Sequence, residues 1–173
     1  MRTDCLPEAR SGLTIERLRA LLHYDPETGL WTWLKSYSRV KAGQKAGSLK
    51  KSGYVFIVIK GTSYRSHRLA WFYMTGKWPP EQLDHRDGCR SNNRWNNLRL
   101  ATDSLNQANS KKPANNTSGY KGVYWNRQHR KWSAKINVQR RQVHLGSYSN
   151  IENAAEAYRL GALKYFGRFS RTT

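Results

Sequence analysis

Cysteine and acidic residues are both scarce in this 173-residue chain. Its two cysteines, Cys5 and Cys89, are too few for a disulfide scaffold or a four-cysteine zinc site, and they suit a reducing cytoplasm. Eleven Asp and Glu residues stand against 31 Lys and Arg residues, which gives a formal net charge of +20. Such a charge predicts a polyanionic partner, for which nucleic acid is a simpler explanation than an acidic membrane surface.

Long apolar runs are also absent from the sequence. No stretch approaches the roughly 18 apolar residues that a membrane-spanning helix requires. The opening segment, MRTDCLPEARSG, carries acidic residues early and lacks the apolar run of a secretory signal. The sequence therefore predicts a soluble, cytoplasmic protein without a membrane partner.

Local patterns in the first half of the chain predict a small mixed α and β unit. A helix is expected over 14–23 behind a Thr14 N-cap, and a strand over 30–34. The run 54–60 is β-branched and aromatic, and Gly61-Thr62 can turn it into a hairpin. A second helix is expected over 67–74. Its first residue, His67, is expected to be a surface or capping residue rather than a metal ligand or a catalytic group.

One later stretch, Leu83 to Asn109, concentrates the residue types that phosphate chemistry needs. It opens with a carboxylate beside an imidazole, Asp84-His85, and turns through Asp87-Gly88. An apolar-alternating run then begins at Asn97, and a short helix is predicted from about Thr102. The predicted order is a hairpin followed by a helix.

This order, together with the D-H, N-N-L and L-N placements, resembles the HNH family of nucleases and their ββα-metal motif. Within it, the stretch is most similar to the homing-endonuclease branch of phages and introns. The resemblance implies a metal-dependent DNA endonuclease that hydrolyses phosphodiester bonds with one divalent cation, Mg²⁺ or Mn²⁺. No structural zinc is expected. If a phage encodes the chain, its location is the cytoplasm of a bacterial host.

The expected cation ligands are oxygen atoms from two separate parts of the stretch. Asp84 is a hard oxygen ligand of the kind that Mg²⁺ and Mn²⁺ prefer. The resemblance places the second ligand at Asn106, where the family signature ends. Asn109 is the fallback because it follows three residues later on a similar helix face.

The resemblance makes His85 the general base, and an unperturbed imidazole pKa near ~6.5 suits that role at neutral pH. Asn97 matches the central Asn of the signature, which orients the base in the family, and Asn93 is a less favoured orienter. Adjacent residues of a regular strand point to opposite faces. Asp84 and His85 can therefore address one phosphate only where the strand twists strongly or ends.

Other residues of the stretch have simpler interpretations. Arg90, Arg94 and Arg99 are expected to be phosphate neighbours or solvated charges, and Cys89 a small loop residue. A decayed, inactive version of the motif remains the alternative to a working nuclease. In that case the protein is a sequence-specific DNA-binding regulator.

A second unit is predicted after a Lys-, Pro-, Asn- and Ser-rich linker at 111–118. Strand patterns cover 120–126, 132–139 and 142–148, and a helix pattern covers 151–166. Three strands and one packed helix form a minimal α+β domain.

The residues YKGV, KWSAKI, HLGSY and NAAEAYRLGALKYFG resemble the plant ethylene-response-factor type of DNA-binding domain. In that family a three-stranded sheet lies in the DNA major groove. Tyr124 and Asn126 stand where arginines are usual, Lys135 replaces an acidic residue, and His144 replaces a tryptophan, so the base preference does not transfer. The DNA-facing positions that the resemblance implies are Lys121, Tyr124, Asn126, Arg127, Lys135, Asn137, Gln142 and His144.

The expected fold class is therefore α+β, with a ββα-metal HNH nuclease domain followed by a small three-stranded antiparallel sheet packed on one helix. The expected divisions are 1–110 for the support and nuclease, 111–118 for the linker and 119–173 for the DNA-binding domain. Double-stranded DNA is the expected partner. A monomer is favoured, and one hydrolytic centre most simply nicks one strand.

Overall fold

The computed structural model describes residues 12–36, 40–110 and 112–170. Cys5 and the opening segment lie outside this part of the chain, as does Lys111 of the predicted linker. Two compact units are present, and they divide between Leu100 and Ala101 instead of at the predicted residue 110. Among the described residues, no helix combines the length and the apolar character needed to cross a membrane.

The first unit consists of two helices and three small antiparallel sheets. The sheets have the strand orders β1-β2-β3, β4-β5-β6 and β7-β8. The elements are α1 (Ile15–Leu21), β1 (Leu22–Tyr24), β2 (Trp31–Trp33), β3 (Lys45–Ala46), β4 (Ser48–Leu49), β5 (Val55–Ile59), β6 (Thr62–Arg65), α2 (Ser66–Thr75), β7 (Gln82–His85) and β8 (Leu98–Ala101).

Local sequence signals account for most of these boundaries. The hydroxyl of Thr14 accepts a hydrogen bond from the amide of Arg17 at 3.3 Å, which caps α1 as predicted. Helix α2 ends at Gly76, whose φ of 71° gives the left-handed conformation that glycine adopts at low cost. The predicted hairpin of β5 and β6 is confirmed.

A single aromatic and aliphatic core holds the first unit together. Trp31 and Trp33, from the predicted strand, are buried in it. The rings of Tyr24 and Trp31 lie 4.8 Å apart between centroids. Leu98 of β8 belongs to the same core. The β7-β8 hairpin is therefore attached to the N-terminal helices and strands through packed apolar side chains.

The second unit is a three-stranded antiparallel sheet with a long helix on one face. Its elements are α3 (Asp103–Ala108), β9 (Val123–Asn126), β10 (Lys131–Val138), β11 (Arg141–Tyr148) and α4 (Ile151–Phe166). The strand order is β11-β10-β9, and the bounds of α4 are those that the sequence predicted. Short helix α3 packs with this unit, because Ala108 and Leu105 lie in its core.

Alternation along the strands gives this sheet two different faces. Val123, Ala134 and Ile136 are buried in the core that α4 covers. A register shift between Ala134 and Lys135 marks a β-bulge in the central strand. The fold class predicted from sequence, with a small three-stranded sheet on one helix, is confirmed.

Gly122 offers a test of the packing between this sheet and α4. Its φ is 72°, and an added Cβ would overlap the ring of Tyr158 and lie 2.7 Å from the carbonyl oxygen of Lys135. Gly119 has a φ of 80° but no atom within 4 Å of such a Cβ. Both Ala variants bear the backbone strain of about 1 kcal/mol or more, and only Gly122→Ala adds a steric overlap.

We therefore expect Gly122→Ala to lower the free energy of unfolding of the second unit by roughly 3 kcal/mol, against about 1 kcal/mol for Gly119→Ala. Denaturant titration followed by tryptophan fluorescence measures both values. Equal losses in the two variants would contradict the packing of Tyr158 against Gly122.

Candidate active site

The β7-β8 hairpin places the two principal candidates, Asp84 and His85, side by side at the end of β7. Both are buried, each with 4% of its surface exposed. Their partners differ, since Asp84 pairs with Arg99 whereas His85 packs against His67. The two side chains point to opposite faces of β7, as expected for adjacent residues of a strand. Both are buried because both faces of the strand are covered.

A buried ion pair fixes the carboxylate of Asp84. The Nε and Nη2 atoms of Arg99 lie 2.9 and 2.8 Å from Asp84 Oδ2. Arg99 was predicted to be a phosphate neighbour or a solvated charge; it is buried, and that prediction is wrong. The reason is that β8 returns beside β7, so the guanidinium neutralises a carboxylate that would otherwise be buried alone at high cost.

His85 is held by a hydrogen bond to Asn93. Its Nε2 lies 3.2 Å from Asn93 Oδ1. The amide nitrogen of Asn93 donates to the carbonyl oxygen of Ser91 at 3.2 Å, which identifies the atom facing His85 as the oxygen. An oxygen that only accepts requires a proton on Nε2, so the neutral ring carries its lone pair on Nδ1.

Burial also favours the neutral form of this ring. Desolvation lowers the pKa of His85 below its ordinary value of 6.5 and outweighs the opposing effects of Asn93, Asp87 and Asp84. The charge of Arg90 lowers this pKa further. The imidazole is therefore in its basic form at neutral pH.

Residues from the N-terminal part of the unit support the loop that carries Asn93. The hydroxyl of Tyr24 donates to the carbonyl oxygen of Asn93 at 2.6 Å. The amide of Trp95 donates to the carbonyl oxygen of Pro26 at 2.9 Å. Gly29, with φ 72°, passes so close to the backbone of Asn93 that a side chain there would collide with it. The turn between β1 and β2 thus positions the partner of His85.

Asn97, the predicted orienter of the base, has another role in these contacts. Its Nδ2 donates to Asp87 Oδ1 at 3.0 Å, and its Oδ1 accepts from the amide of Asp87 at 3.1 Å. The same Nδ2 lies 2.8 Å from the carbonyl oxygen of Asn92. We call this reciprocal pair the Asp87–Asn97 clasp. It closes the hairpin loop, while the less favoured candidate, Asn93, contacts the base.

The clasp also explains the state of the Asp87 carboxyl group. Burial raises its pKa, but hydrogen bonds from the Cys89 amide and from the side chains of Asn92 and Asn97 together lower it by more. The net shift of the Asp87 pKa is therefore downward. The distances for Cys89 and Asn92 are 2.8 and 2.6 Å. Asp87 therefore remains ionised and structural in the loop.

His67 is a site neighbour that the sequence did not reveal. It was predicted to be a surface or capping residue, yet only 4% of its surface is exposed, so that prediction is wrong. Its ring centroid lies 5.0 Å from that of His85 and 5.2 Å from that of Tyr54. Its position in the first turn of α2 gave no local signal, because the rings that it contacts, those of Tyr54 and His85, belong to other segments of the chain.

The predicted second cation ligand, Asn106, lies on α3 in the second unit and is half-buried. The hydroxyl of Thr102 caps this helix by accepting from the amide of Leu105 at 3.4 Å, as predicted. The fallback, Asn109, is buried at the end of the helix. The pairing of either amide with Asp84 on one cation stays a prediction.

The donor chemistry suits a hard cation. Asp84 offers carboxylate oxygens and Asn106 an amide oxygen, which are donors of the kind that hard cations prefer. Within the described ranges, no three His, Cys, Asp or Glu residues cluster as metal ligands. A cation held here would rely on few protein ligands, with water and phosphate oxygens completing its coordination.

Six predicted DNA contacts share the face of the second sheet that lies opposite α4. Cross-strand neighbours on this face are Lys135 with His144 and Asn137 with Gln142. The ammonium of Lys135 lies 4.8 Å from the ring centroid of Tyr124. Arg127 is exposed in the turn that follows β9. The six residues are Tyr124, Asn126, Lys135, Asn137, Gln142 and His144.

Lys121, the remaining predicted contact, lies inside the second unit. Its ammonium donates to the carbonyl oxygens of Ala108 and Ser110 at 2.6 Å each and lies 3.4 Å from that of Gln107. The side chain is buried. These carbonyls end α3, so the cation satisfies helix-terminal acceptors and interacts with the helix dipole. The structure therefore gives Lys121 an internal role in place of the DNA-facing one.

Comparisons with known proteins relate part of the chain to HNH endonucleases. The sequence model of the HNH endonuclease family matches residues 64–108. Protein 3.8 of Escherichia phage T7 is 33% identical over 108 residues, which are 62% of this chain and 88% of that protein. The solved HNH homing endonuclease I-HmuI is 26% identical with a TM-score of 0.43. The match covers 56% of this chain and 55% of that one, so the chain spans about half the length of I-HmuI.

The burial of His67 predicts a specific dependence of stability on pH. Desolvation, followed by the charges of His85, Arg65 and Arg68, lowers the pKa of His67 well below 6.5. The unfolded chain therefore takes up this proton first as the pH falls. Stability is fully present above about pH 6.5 and is lost below it, by about 1.4 kcal/mol per pH unit for one proton.

We expect His67→Phe to remove this one-proton slope and keep the packed ring. Urea unfolding between pH 8 and pH 5 measures it, as the difference in slope between wild type and variant. Absolute stability can differ between the two proteins without affecting this comparison. Parallel pH profiles would show that His67 is protonated equally in both states, contrary to its burial.

Proposed function

We propose, since this chain belongs to the HNH endonuclease family, that it is a metal-dependent DNA endonuclease of the homing type. The observation that carries the proposal is His85, a buried imidazole whose Nε2 is bound to Asn93 Oδ1 and whose lone pair is thereby placed on Nδ1. It lies inside the segment that matches the family. A neutral imidazole in a fixed tautomer is suited to accept a proton from water.

In the proposed reaction, Nδ1 of His85 removes a proton from a water molecule that attacks the phosphorus of a DNA phosphodiester. The bond from phosphorus to the leaving oxygen breaks as the new bond forms, and the imidazole holds the proton as imidazolium. Asn93 keeps the ring from rotating, and the Asp87–Asn97 clasp keeps the loop closed around it. Positioning of this kind lowers the barrier by reducing the entropy lost during reaction.

A divalent cation, when bound, supplies stabilisation of the charge that develops on the leaving oxygen. Asp84 and Asn106 are the residues proposed to hold it, and Mg²⁺ or Mn²⁺ suits their oxygen donors. Arg99 orients the Asp84 carboxylate through its two contacts with Oδ2. Asn109 remains the alternative amide ligand.

Double-stranded DNA is the proposed partner, and the face of the second sheet opposite α4 is the proposed anchor. A sheet can enter the major groove because the groove is wide enough for β-strands, and alternate side chains then point toward the bases. The fold of three strands and a helix and the exposed Arg127 support this assignment. We propose a monomer that nicks one strand, in the cytoplasm of a bacterial host if a phage encodes the chain.

A second candidate function is a DNA-binding regulator with an inactive hydrolytic site. The ion pair of Asp84 with Arg99 favours it, because a carboxylate already neutralised by a buried arginine has less need of a cation. This alternative predicts DNA binding without cleavage in any divalent ion.

Cleavage of supercoiled plasmid and phage DNA in Mg²⁺ or Mn²⁺ separates the two candidates. For a nuclease, His85→Ala and Asp84→Ala should abolish nicking and leave DNA binding in EDTA unchanged. Asn93→Ala should slow single-turnover cleavage by about 10- to 100-fold, because the base loses its orienting partner. Thermal unfolding of each variant checks that the fold is retained. Binding without nicking by the wild type in both ions selects the regulator.

The second sheet is tested by the salt dependence of duplex binding in EDTA. Lys135→Ala and Arg127→Ala should each reduce the slope of log K against log salt by about 0.9, the value for one lost phosphate contact. Lys121→Met is the matched control, since its ammonium is occupied by carbonyl oxygens of the chain. It should lower stability and leave the slope unchanged. A reduced slope for Lys121→Met would indicate that Lys121 contacts DNA, contrary to its internal role.

A further inference from the structure

Two arginines lie against one aromatic ring beside the candidate active site. The guanidinium carbons of Arg65 and Arg90 lie 5.4 and 5.0 Å from the ring centroid of Tyr54. Tyr54 directly precedes β5, Arg65 ends β6, and Arg90 belongs to the loop between β7 and β8. Three separate segments therefore meet in a group that we call the Tyr54 platform, defined as Tyr54, Arg65 and Arg90.

The two cations of the platform have no acidic partner in the described part of the chain. The ion pairs there join Asp84 to Arg99, Asp103 to Arg140 and Glu156 to Arg159. Arg90 is instead fixed by a hydrogen bond from Nη1 to the carbonyl oxygen of Ser52 at 3.0 Å. Two like charges held at one ring repel each other, and a bound anion would remove that repulsion.

The platform lies next to the general base. The ring centroid of Tyr54 is 6.1 Å from that of His85 and 5.2 Å from that of His67. Arg90 acts electrostatically on His85, and Arg65 on His67. An anion bound by these arginines would therefore be close to the imidazole that activates water.

The first turn of α2 contains two buried polar groups with unsatisfied hydrogen-bonding capacity. Ser66 Oγ and His67 Nδ1 are buried and have no hydrogen-bond partner among the described residues. This turn contains no acidic residue, and Arg65 at the N-cap gives no side-chain cap. Buried polar atoms are rarely left unpaired, and the N-terminus of a helix favours anions. Both observations make the start of this helix a favourable neighbour for an anion.

We propose that Arg65 and Arg90, held on the ring of Tyr54, bind the DNA phosphate at which His85 directs its attack. The ligand class is a phosphodiester of the DNA backbone, which planar guanidinium groups recognise through paired hydrogen bonds. The inference rests on the proposed nuclease function and assigns the chain's own anion-binding groups at that centre.

The first experiment measures duplex DNA binding against salt concentration in EDTA, where no cleavage occurs. Arg65→Gln and Arg90→Gln should each reduce the slope of log K against log salt by about 0.9, and the double variant by about twice that. Arg19→Gln is the matched control in the same unit. Its guanidinium also lies over a ring, 5.4 Å from the centroid of Tyr73, and like that of Arg90 it donates to a carbonyl oxygen, but Arg19 belongs to α1 and not to the Tyr54 platform. It should leave the slope unchanged.

The second experiment tests the ring itself. Tyr54→Phe keeps the aromatic face and should lose less binding and less cleavage than Tyr54→Leu. Tyr54→Leu removes the face that holds both cations, and it should slow single-turnover cleavage at saturating DNA. Circular dichroism and thermal unfolding establish that both variants are folded. Equal cleavage rates in the folded Phe and Leu variants would overturn the role of the ring.

The third measurement tests whether the phosphate bound by the two arginines is the one that is cleaved. Arg65→Gln and Arg90→Gln should each lower the single-turnover rate constant at saturating DNA by about a hundredfold, as loss of a group that stabilises transition-state charge does. Reduced salt slopes with wild-type rate constants would identify a remote phosphate contact and overturn the proposal. Unchanged slopes beside normal cleavage would overturn it too, with the nuclease function intact. If the wild type does not cleave DNA, the proposed nuclease function is refuted. The inference about the Tyr54 platform then fails with it, whatever the salt slopes are.

Discussion

The hydrogen bond between His85 and Asn93 is the interaction on which the rest of the candidate site depends. It determines which ring nitrogen carries the proton and therefore which atom can act as a base. Asn93 is held in turn by Tyr24, a residue 69 positions earlier in the chain. The N-terminal part of the unit thus supports the candidate site from a distance in sequence, because it fixes the loop that carries the partner of His85.

The same unit also holds two carboxylates near a neutral base, the buried one of Asp84 and the exposed one of Asp87. Asp84 is balanced by Arg99, and Asp87 is satisfied by the amides of the hairpin loop. Burial then acts on the histidines without an unpaired carboxylate to charge them, and the pKa values of His85 and His67 fall. The unpaired charges that remain near the base, Arg65 and Arg90, are positive. The site is therefore prepared for an anionic substrate.

The lysines of the second unit have two different roles, one on the open face of the sheet and one inside the unit. Lys135 stands on the open face of the sheet beside Tyr124, where a polyanion can reach it. Lys121 is turned inward and closes the end of α3. A net charge of +20 therefore overstates the number of cations available to a partner, since some of them satisfy carbonyl oxygens or carboxylates of the chain itself. Only the position of each side chain distinguishes the two uses.

The sequence alone determined the main helices, the β5-β6 hairpin and the hairpin-then-helix stretch, since caps such as Thr14 and Thr102, turn residues and apolar periodicity act within a few positions. It did not reveal the short strands β1, β3 and β4. It could not determine the partners of the polar side chains. The contacts of Asn93 with Tyr24, of Arg99 with Asp84 and of Lys121 with the end of α3 join residues 69, 15 and about a dozen positions apart. Such contacts form only when separate segments pack, because packing decides which donor is buried beside which acceptor. Tertiary structure therefore gave Asn93 the orienting position expected of Asn97.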